Sequence, residues 1–408
     1  MTEVYDIIVV GGGPGGLAAG LYGSRSRLKT AIIEKGRPGG QAATTEELEN
    51  YPGFFEDATG PGLMKRFAAH AEHFGSAIIR GQVTDLMLQG AVKKIITKDG
   101  QEYQALSVIL APGAEPRSLN IPGEHRLRGK GVSYCATCDA DFFEELDIVV
   151  VGNGDAAIEE AMYLTKFAET VTIIVIHDEG VLDCNKASAE KAFANDKIKW
   201  IWNSILMEIN GDELVESVTV KNIKTGQLSQ LDINGVFFFV GTVPKTAFLQ
   251  DQVDLTEQGY IITNDLMETN IPGVYAAGDA RDKYLRQVIT AAADGAIAAV
   301  AAEKYLAEQE TFRKQVLDAE KPVLLVFWAP QVEESFAAVG IAEEFAAKNN
   351  HIDLVKLDTY RNKKTAANFN ISQIPSILLF EKGEVAGRLT GKITAEHIIN
   401  LLHSLPQP

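Results

Sequence analysis

Two cysteines separated by two residues are the most chemically suggestive feature of this sequence. Cys135 and Cys138 stand in the segment Tyr134-Cys135-Ala136-Thr137-Cys138-Asp139. Their spacing is typical of a redox dithiol or of one half of a zinc site. Zinc would need two further ligands, and no second cysteine or histidine pair lies nearby in the sequence. We therefore predict a redox dithiol that can close a disulfide, and no metal.

Glycine-rich turns after apolar strands predict where phosphate-bearing cofactors bind. The first turn has the pattern G-x-G-x-x-G after a short apolar run, and its residues are Gly11, Gly13, Pro14 and Gly16. The first glycine makes the turn, the second lets the backbone approach a pyrophosphate, and the third lets helix and strand pack together. Glu34 ends the next apolar run, where its carboxylate is placed to accept hydrogen bonds from a ribose.

Two further turns extend this pattern. Gly152, Gly154 and Ala157 form G-x-G-x-x-A after another apolar run, which is typical of the phosphate half of a dinucleotide site. Gly278 and Asp279 follow a later run, and a Gly-Asp pair at a strand end suits the ribityl chain and phosphates of a flavin. We therefore predict FAD at the first turn, completed by Gly278 and Asp279, and a pyridine nucleotide at the second turn.

The order of these turns predicts the division of the chain. The second dinucleotide unit lies between two pieces of the first, so one domain is inserted into the other. We predict an α/β protein with two Rossmann-like, three-layer dinucleotide-binding domains and a small C-terminal α/β domain. Proline and glycine at 112–116 and 241–244 predict two hinges. The predicted boundaries are 1–115 and 246–310 for the FAD domain, 116–245 for the nucleotide domain with the dithiol, 311–319 for a linker and 320–408 for the C-terminal domain.

Short motifs over residues 1–310 resemble the low-molecular-weight thioredoxin reductases, a family of flavin disulfide reductases. They occur in that family's order and at its spacing, and they are Gly39-Gly40-Gln41, Glu49-Asn50-Tyr51-Pro52-Gly53-Phe54, Cys135-Ala136-Thr137-Cys138-Asp139, Gly278-Asp279 and Arg286-Gln287-Val288. The resemblance implies a nucleotide domain that rotates on the two hinges between the half-reactions, a motion that often limits turnover.

The same resemblance implies roles for individual residues. Cys138 would face the flavin, Cys135 would form the mixed disulfide with the partner, and Asp139 would act as general acid and base if burial raises its pKa. The implied FAD contacts are the first glycine turn with Glu34, Gly40, Gln41, Asn50, Gly278, Asp279, Arg286, Gln287 and Val288.

The predicted nucleotide site departs from the family pattern. The family holds the 2′-phosphate of NADPH with His-Arg-Arg and a further Arg, but residues 175–181 contain no arginine and include Asp178 and Glu179. We predict NADH as the donor, with Asp178 or Glu179 reaching the ribose 2′-hydroxyl, although Val175 stands at the usual offset of the ribose acid. A ferredoxin or another protein donor is the first alternative, and NADPH is the second.

Residues 320–408 resemble thioredoxin without its active-site cysteines. Trp328 at the end of an apolar strand and Ile374-Pro375 before another have counterparts in that fold, and we expect Pro375 to be cis. Val332 and Ser335 replace the two cysteines, and valine cannot exchange a disulfide. We expect this domain to serve docking or assembly. The alternative is a relic that only adds stability.

Composition limits the partners. A formal net charge of −17 argues against nucleic acid and anionic membranes as partners. No apolar run approaches the ~20 residues of a membrane span. The first residues show no secretory signal, and three cysteines cannot build a disulfide scaffold. We predict a cytoplasmic homodimer.

Together these features predict an FAD-dependent disulfide oxidoreductase. Electrons would pass from a donor through FAD to Cys135 and Cys138, and then to the disulfide of a thioredoxin-type protein. A reductase of a peroxiredoxin-type partner is one alternative. A non-enzymatic redox sensor is another, and the intact dithiol with Asp139 argues against it.

Overall fold

The computed structural model describes residues 3–44, 48, 50–54 and 59–403. The chain forms two compact units, Met1–Ala302 and Glu303–Pro408. Both units consist of helices packed on sheets. Among the described residues, no helix is long and apolar enough to span a bilayer. The helices are Pro14–Arg25, Gly60–His73, Ala136–Asp139, Asp155–Leu164, Lys186–Phe193, Val288–Phe312, Glu333–Lys348, Lys363–Asn368 and Ala395–His403.

The first unit begins with a sheet whose parallel half carries the first glycine turn. Its strand order is Ala77–Arg80, Thr30–Glu34, Val4–Val10, Glu102–Leu110, Lys93–Thr97 and Val83–Met87. The short strand Val274–Ala276 pairs in parallel with the C-terminal end of Glu102–Leu110. Because these carboxyl ends share one edge of the sheet, the turn after Val10 and the turn after Ala276 lie at the same edge.

A second parallel sheet carries the second glycine turn. Its strand order is Ile198–Ile201, Thr170–Ile174, Asp147–Val151, Gly235–Phe238 and Val132–Ser133. The strands read as continuous apolar runs because helices cover one face and an antiparallel sheet covers the other, and Val149, Val150 and Val236 are fully buried. An antiparallel sheet of Ser204–Asn210, Ser217–Asn222 and Leu228–Asp232 follows in the chain.

The two segments predicted as hinges lie side by side. Ala114–Pro116 and Thr242–Pro244 form a two-stranded antiparallel ribbon between the first two sheets. Lys245 Nζ lies 3.0 Å from a carboxylate oxygen of Glu115, which ties the two segments together again. The ribbon therefore connects the FAD-type and nucleotide-type sheets through two adjacent strands. The finer division into an FAD and a nucleotide domain stays a prediction.

The second unit has a four-stranded sheet in the order Asp353–Asp358, Val323–Trp328, Ser376–Glu381 and Glu384–Thr390. The first pair is parallel and the other pairs are antiparallel. Helices cover both faces, and their apolar side chains form two cores around Val326 and Phe327. Ile374-Pro375 is cis, as the sequence predicted.

The segment 311–319, predicted as a linker, is largely helical. The helix Val288–Phe312 continues into a π-helical turn, Arg313–Leu317. Val316 in that turn is buried in a core of the second unit, and Phe312 packs against the same core. The change to polar residues in the sequence hid this apolar face. The boundary between the two units therefore lies at Ala302, inside the helix.

Candidate active site

The three glycines of the first turn have different neighbours. A Cβ on Gly11 would overlap the carbonyl oxygen of Ala111, and a Cβ on Gly16 would overlap that of Gly11. A Cβ on Gly13 would meet no protein atom within 4 Å. Gly11 and Gly16 therefore serve the turn and the packing of helix on strand, while Gly13 faces open space. Pro14 is the first residue of the helix that follows.

Glu34 and Gly40 both lie against this turn. Glu34 ends its strand, and its Oε2 accepts the N–H of Gly12 at 2.7 Å. The N–H of Gly39 donates to the carbonyl oxygen of Gly12, also at 2.7 Å. A Cβ on Gly40 would lie 3.2 Å from the Cα of Gly13. The predicted ribose acid and the Gly-Gly segment are thus brought to the predicted pyrophosphate site.

Asp279 supplies the observation that tests whether a flavin fits here. Its carboxyl group is buried, and burial raises its pKa. Its Oδ1 has no hydrogen-bond partner among the described residues. A buried polar atom of this kind requires a donor, and a hydroxyl group of a ribityl chain supplies one. With the space beside Gly13 and the neighbouring Gly278, the residues present fit FAD.

Asp294 holds this edge of the site together, and the sequence analysis missed it. Its buried carboxylate accepts the N–H of Gly278 at 3.0 Å and contacts Lys283 Nζ at 2.8 Å and Arg281 Nη1 at 3.1 Å. The sequence signal was the one acid in the alanine-rich stretch 288–302. Arg286 lies nearby, where its guanidinium stacks 4.1 Å above the ring of Tyr260.

The dithiol contacts two of the predicted flavin residues, Asn50 and Gln287. Cys135 and Cys138 form a disulfide at the start of the helical turn Ala136–Asp139. Gln287 Nε2 lies 3.3 Å from Thr137 Oγ1 and 3.8 Å from Cys135 Sγ. Asn50 Nδ2 donates to Gln287 Oε1 at 3.1 Å and lies 4.0 Å from Cys138 Sγ.

Two other predicted flavin residues stand at the border of this region. Arg128, from the nucleotide side, reaches Gln41 Oε1 at 3.4 Å. Val288 begins the long helix that follows Gln287. Glu49, which contributed to the resemblance, lies outside the described residues. The disulfide therefore lies against the edge of the sheet that carries the predicted flavin residues.

Asp139 lies partly buried beside the dithiol turn, and its carboxyl group has a raised pKa. Burial raises the pKa of its carboxyl group, and the nearby Asp141 raises it further. The hydroxyl of Ser133 donates to Oδ2 at 2.5 Å and opposes that rise. Ser133 also accepts the N–H of Cys135 at 3.1 Å, so it connects the acid to the dithiol turn. The sequence analysis did not single out Ser133.

The second glycine turn repeats the geometry of the first. A Cβ on Gly152 would overlap the carbonyl oxygen of Phe239, while a Cβ on Gly154 would meet nothing within 4 Å. Ala157 is fully buried in the core beneath the turn. Gly154 therefore faces open space in the second turn, as Gly13 does in the first.

The residue that follows the second strand of the nucleotide-type sheet differs in kind from its counterpart in the FAD-type sheet. Val151 pairs with Ile174 as Val10 pairs with Ile33, so Val175 takes the position of Glu34. Val175 is fully buried. The structure thus places an apolar side chain at the position that Glu34, the predicted ribose acid, takes beside the first turn.

The structure brings Asp183 to the second turn. It does not bring there Asp178 or Glu179, the two acids named from the sequence. The N–H of Asp183 donates to the carbonyl oxygen of Asn153 at 3.0 Å, and its Oδ2 accepts Asn153 Nδ2 at 3.2 Å. His177 Nε2 lies 2.9 Å from the same oxygen, and this contact lowers the pKa of Asp183. Asp178 forms an ion pair with Lys224, and Glu179 is exposed.

The positions of the missing cysteines in the second unit are filled by side chains without redox chemistry. Val332 directly precedes the helix Glu333–Lys348. Ser335 is buried in its first turn, where its Oγ accepts the N–H of Ala329 at 3.4 Å. Trp328 and Phe336 form an edge-to-face pair beside them, and Phe336 is largely exposed.

Comparisons with known proteins agree with both parts of this description. Residues 5–295 match the family model described as pyridine nucleotide-disulphide oxidoreductase, and residues 303–404 match the thioredoxin model. A thioredoxin reductase of Peptoclostridium acidaminophilum is 51% identical over 312 residues, which cover 75% of this chain and 98% of that protein.

A protein described as bifunctional thioredoxin reductase/thioredoxin, from Mycobacterium leprae, is 37% identical over 95% of this chain and 94% of its own length. Among solved structures, a thioredoxin reductase of Streptococcus pyogenes matches with a TM-score of 0.71 and 44% identity. The match covers 76% of this chain and all of that one.

Proposed function

The chain belongs to the thioredoxin reductases of the pyridine nucleotide-disulphide oxidoreductase family, carries a C-terminal thioredoxin domain and is an FAD-dependent oxidoreductase. From this premise we propose that NADH supplies the electrons and that a separate thioredoxin-type protein receives them from Cys135 and Cys138. The contacts of Asn50 and Gln287 with the disulfide carry this proposal, because they join the redox bond to the flavin residues.

The chain holds FAD through its backbone and two acids. Gly13 leaves space for the pyrophosphate, Glu34 accepts hydrogen bonds from the adenosine ribose, and the buried Oδ1 of Asp279 accepts one from the ribityl chain. Bound FAD would supply the two-electron chemistry that links the donor to the disulfide. Asn50 and Gln287 position that disulfide.

Reduction of the Cys135–Cys138 bond takes two electrons, and of the two protons that accompany them one goes to Cys138, which leaves Cys135 as the thiolate. Asp139 holds one of these protons, because its burial favours the protonated carboxyl group. A Cys135 thiolate then attacks one sulfur of the acceptor disulfide, breaks that bond and forms a mixed disulfide. Attack of Cys138 on Cys135 releases the reduced acceptor and restores the internal disulfide. We propose that the hinge ribbon lets the dithiol leave the flavin edge for this second step.

NADH is favoured by the residues around the second turn. No lysine or arginine occurs in residues 175–185, so this loop offers no cation to a 2′-phosphate. Asp183 stands at the second turn, where its carboxylate accepts a hydrogen bond from the side-chain amide of Asn153. Glu34 likewise accepts a hydrogen bond from the backbone N–H of Gly12 at the first turn. We assign Asp183 to the ribose 2′-hydroxyl, in the role that the sequence assigned to Asp178 or Glu179.

The thioredoxin domain is proposed to dock the acceptor. Trp328 and the exposed Phe336 lie next to Val332, the position that carries the attacking cysteine in the thioredoxin pattern. Exposed aromatic side chains are enriched in protein interfaces. Val332 removes the thiol chemistry of its position but leaves the surrounding surface available to a partner. Replacing Phe336 by Asp should raise the KM for the acceptor and leave the rate of NADH oxidation with a small disulfide unchanged.

A second copy of the chain is proposed to cover an apolar groove on the first unit. The groove has a volume of ≈ 390 Å³ and is lined by residues that include Leu17, Leu21, Tyr22, Phe67, Ile289 and Ala293. The helix that begins at Val288 is apolar on its exposed side as well, where Ile297 is 39% exposed. A helix that is apolar on both sides is typically covered by a partner. Replacing Ile297 by Lys should shift the sedimentation coefficient to that of a monomer.

Acceptor turnover tests the proposed function. The wild type should oxidise NADH in the presence of an oxidised thioredoxin, and Cys135→Ser and Cys138→Ser should each keep bound FAD and lose that turnover. Cys184→Ser is the matched control and should remain active, because this cysteine is outside the disulfide. Efficient turnover with a peroxiredoxin-type acceptor alone would favour the alternative acceptor. Full turnover by either active-site variant would refute the dithiol role.

A further inference from the structure

A cation from a distant part of the chain lies beside the loop that follows the second strand of the predicted nucleotide domain. Lys224 lies in the turn of the hairpin that joins Ser217–Asn222 to Leu228–Asp232, and its Nζ forms an ion pair with Asp178. Asp178 itself follows the second strand of the nucleotide domain, in the loop where this class of fold places the group that reads the ribose 2′ position. Lys224 therefore stands close to the position that a 2′-phosphate would occupy.

Backbone hydrogen bonds place this hairpin turn, so its position does not depend on the ion pair. The N–H of Asn203 donates to the carbonyl oxygen of His177 at 2.9 Å, next to Asp178. The N–H of Ile223 donates to the carbonyl oxygen of Asn203 at 2.7 Å, next to Lys224. The loop and the hairpin turn are thus each bonded to the same residue, which holds Asp178 and Lys224 side by side.

The positive charge of Lys224 is balanced by Asp178, which faces it. The hydrogen bond from Lys224 is the main cause that lowers the pKa of Asp178, so the acid is ionised at neutral pH. Glu179 adds an exposed negative charge beside them. A 2′-phosphate, with about two negative charges, would meet a lysine whose charge Asp178 already balances, and the additional negative charge of Glu179.

We propose that the Asp178–Lys224 ion pair determines which nucleotide the site accepts: Asp178 occupies Lys224 and thereby excludes the 2′-phosphate of NADPH. The inference rests on the proposed function, because it requires a nucleotide at the second turn. It also predicts that the lysine needed for NADPH is already present. Removal of the acid alone would then convert the site, without the insertion of any arginine.

Binding of 2′,5′-ADP and 5′-AMP to the FAD-loaded full chain tests this inference by calorimetry. Asp178→Asn should tighten 2′,5′-ADP roughly tenfold to a hundredfold, the value of one charge-assisted hydrogen bond, and change 5′-AMP by less than about twofold. Glu179→Gln removes the same charge from the adjacent residue without freeing Lys224. This control should change 2′,5′-ADP binding by less than about threefold, because an exposed charge without a fixed partner is screened.

The double variant completes the test. In Asp178→Asn/Lys224→Met the gain for 2′,5′-ADP should disappear. NADPH-dependent flavin reduction should follow the same order across the variants, while NADH-dependent reduction stays near the wild-type rate. Equal effects of Asp178→Asn and Glu179→Gln, or a gain that survives Lys224→Met, would overturn the inference and leave NADH as donor intact. If neither mononucleotide binds any variant, both the inference and the nucleotide donor are wrong, and a protein donor takes their place.

Discussion

Removal of the Ser133 hydroxyl should move the pH dependence of the enzyme upward. Ser133 donates to Asp139 Oδ2 at 2.5 Å and so stabilises the ionised carboxylate against the burial that raises its pKa. In Ser133→Ala that support is lost, the pKa of Asp139 rises further, and the protonated acid persists to higher pH. A hydrogen bond to a charged group contributes about 1.5–3 kcal/mol, and about 1.36 kcal/mol corresponds to one pH unit. The basic limb of the rate profile should therefore move up by about one to two pH units.

The assay is kcat/KM for oxidised thioredoxin, measured across the pH range in which the FAD-loaded protein remains folded. Asp139→Asn is the control, because it removes the titrating group: its rate should be low and should lack that limb, with or without Ser133→Ala. A limb that stays in place, or that moves to lower pH, would refute the assignment of the proton to Asp139. A uniform fall in rate at every pH would mean that Ser133 only supports the dithiol turn through the N–H of Cys135.

Four further substitutions test cofactor binding and folding. Gly13→Val should abolish FAD binding but leave a folded apoprotein. Gly16→Val should fail to fold, because a side chain at residue 16, unlike one at residue 13, would overlap the backbone of Gly11. FAD absorbance and circular dichroism distinguish the two outcomes. Asp294→Ala should lower the free energy of unfolding by about 3–5 kcal/mol and release FAD on dilution, since Arg281 and Lys283 would be left buried without their partner; a denaturant titration that finds no loss would contradict this role. Asp139→Asn should raise the melting temperature above that of the wild type at neutral pH but not in acid. The folded-state pKa of Asp139 is raised, so the wild type loses stability as pH rises from the ordinary carboxyl range through that pKa. The same difference in melting temperature between variant and wild type at both pH values would count against the raised pKa.

The sequence predicted well those parts of the site that depend on local backbone rules. The glycine turns, the acid at Glu34 and the Cys-x-x-Cys segment each follow from the geometry of one strand and one helix start, and the structure shows that local geometry. The cis bond before Pro375 was predicted from the resemblance to thioredoxin.

The parts that the sequence missed depend on contacts between distant segments. Lys224 reaches Asp178 only because Asn203 bonds to both the loop and the hairpin turn. Asp183 returns to the second turn through its bonds to Asn153, which no residue offset indicates. Ser133 and Asp294 act on groups that are brought near them by folding, and neither belongs to a recognisable motif.

The helical structure of the segment 311–319, which was predicted as a linker, was missed for a related reason. Its polar composition suggested an exposed connection, but a single apolar side chain at Val316, with Phe312 before it, packs into a core of the second unit. One or two buried residues in a helical turn are too few to alter the average composition of the segment.

Anaerobic mixing of the FAD-loaded protein with NADH, followed by oxidised thioredoxin, tests the central claim most directly. NADH should reduce the flavin rapidly and NADPH far more slowly. Thioredoxin should then reoxidise the protein, with one acceptor disulfide reduced per NADH consumed. Cys135→Ser should be reduced by NADH and fail to pass the electrons on. The claim is contradicted if neither nucleotide reduces the flavin while reduced ferredoxin does, or if thioredoxin is reduced by a protein in which Cys135 and Cys138 are both replaced by serine.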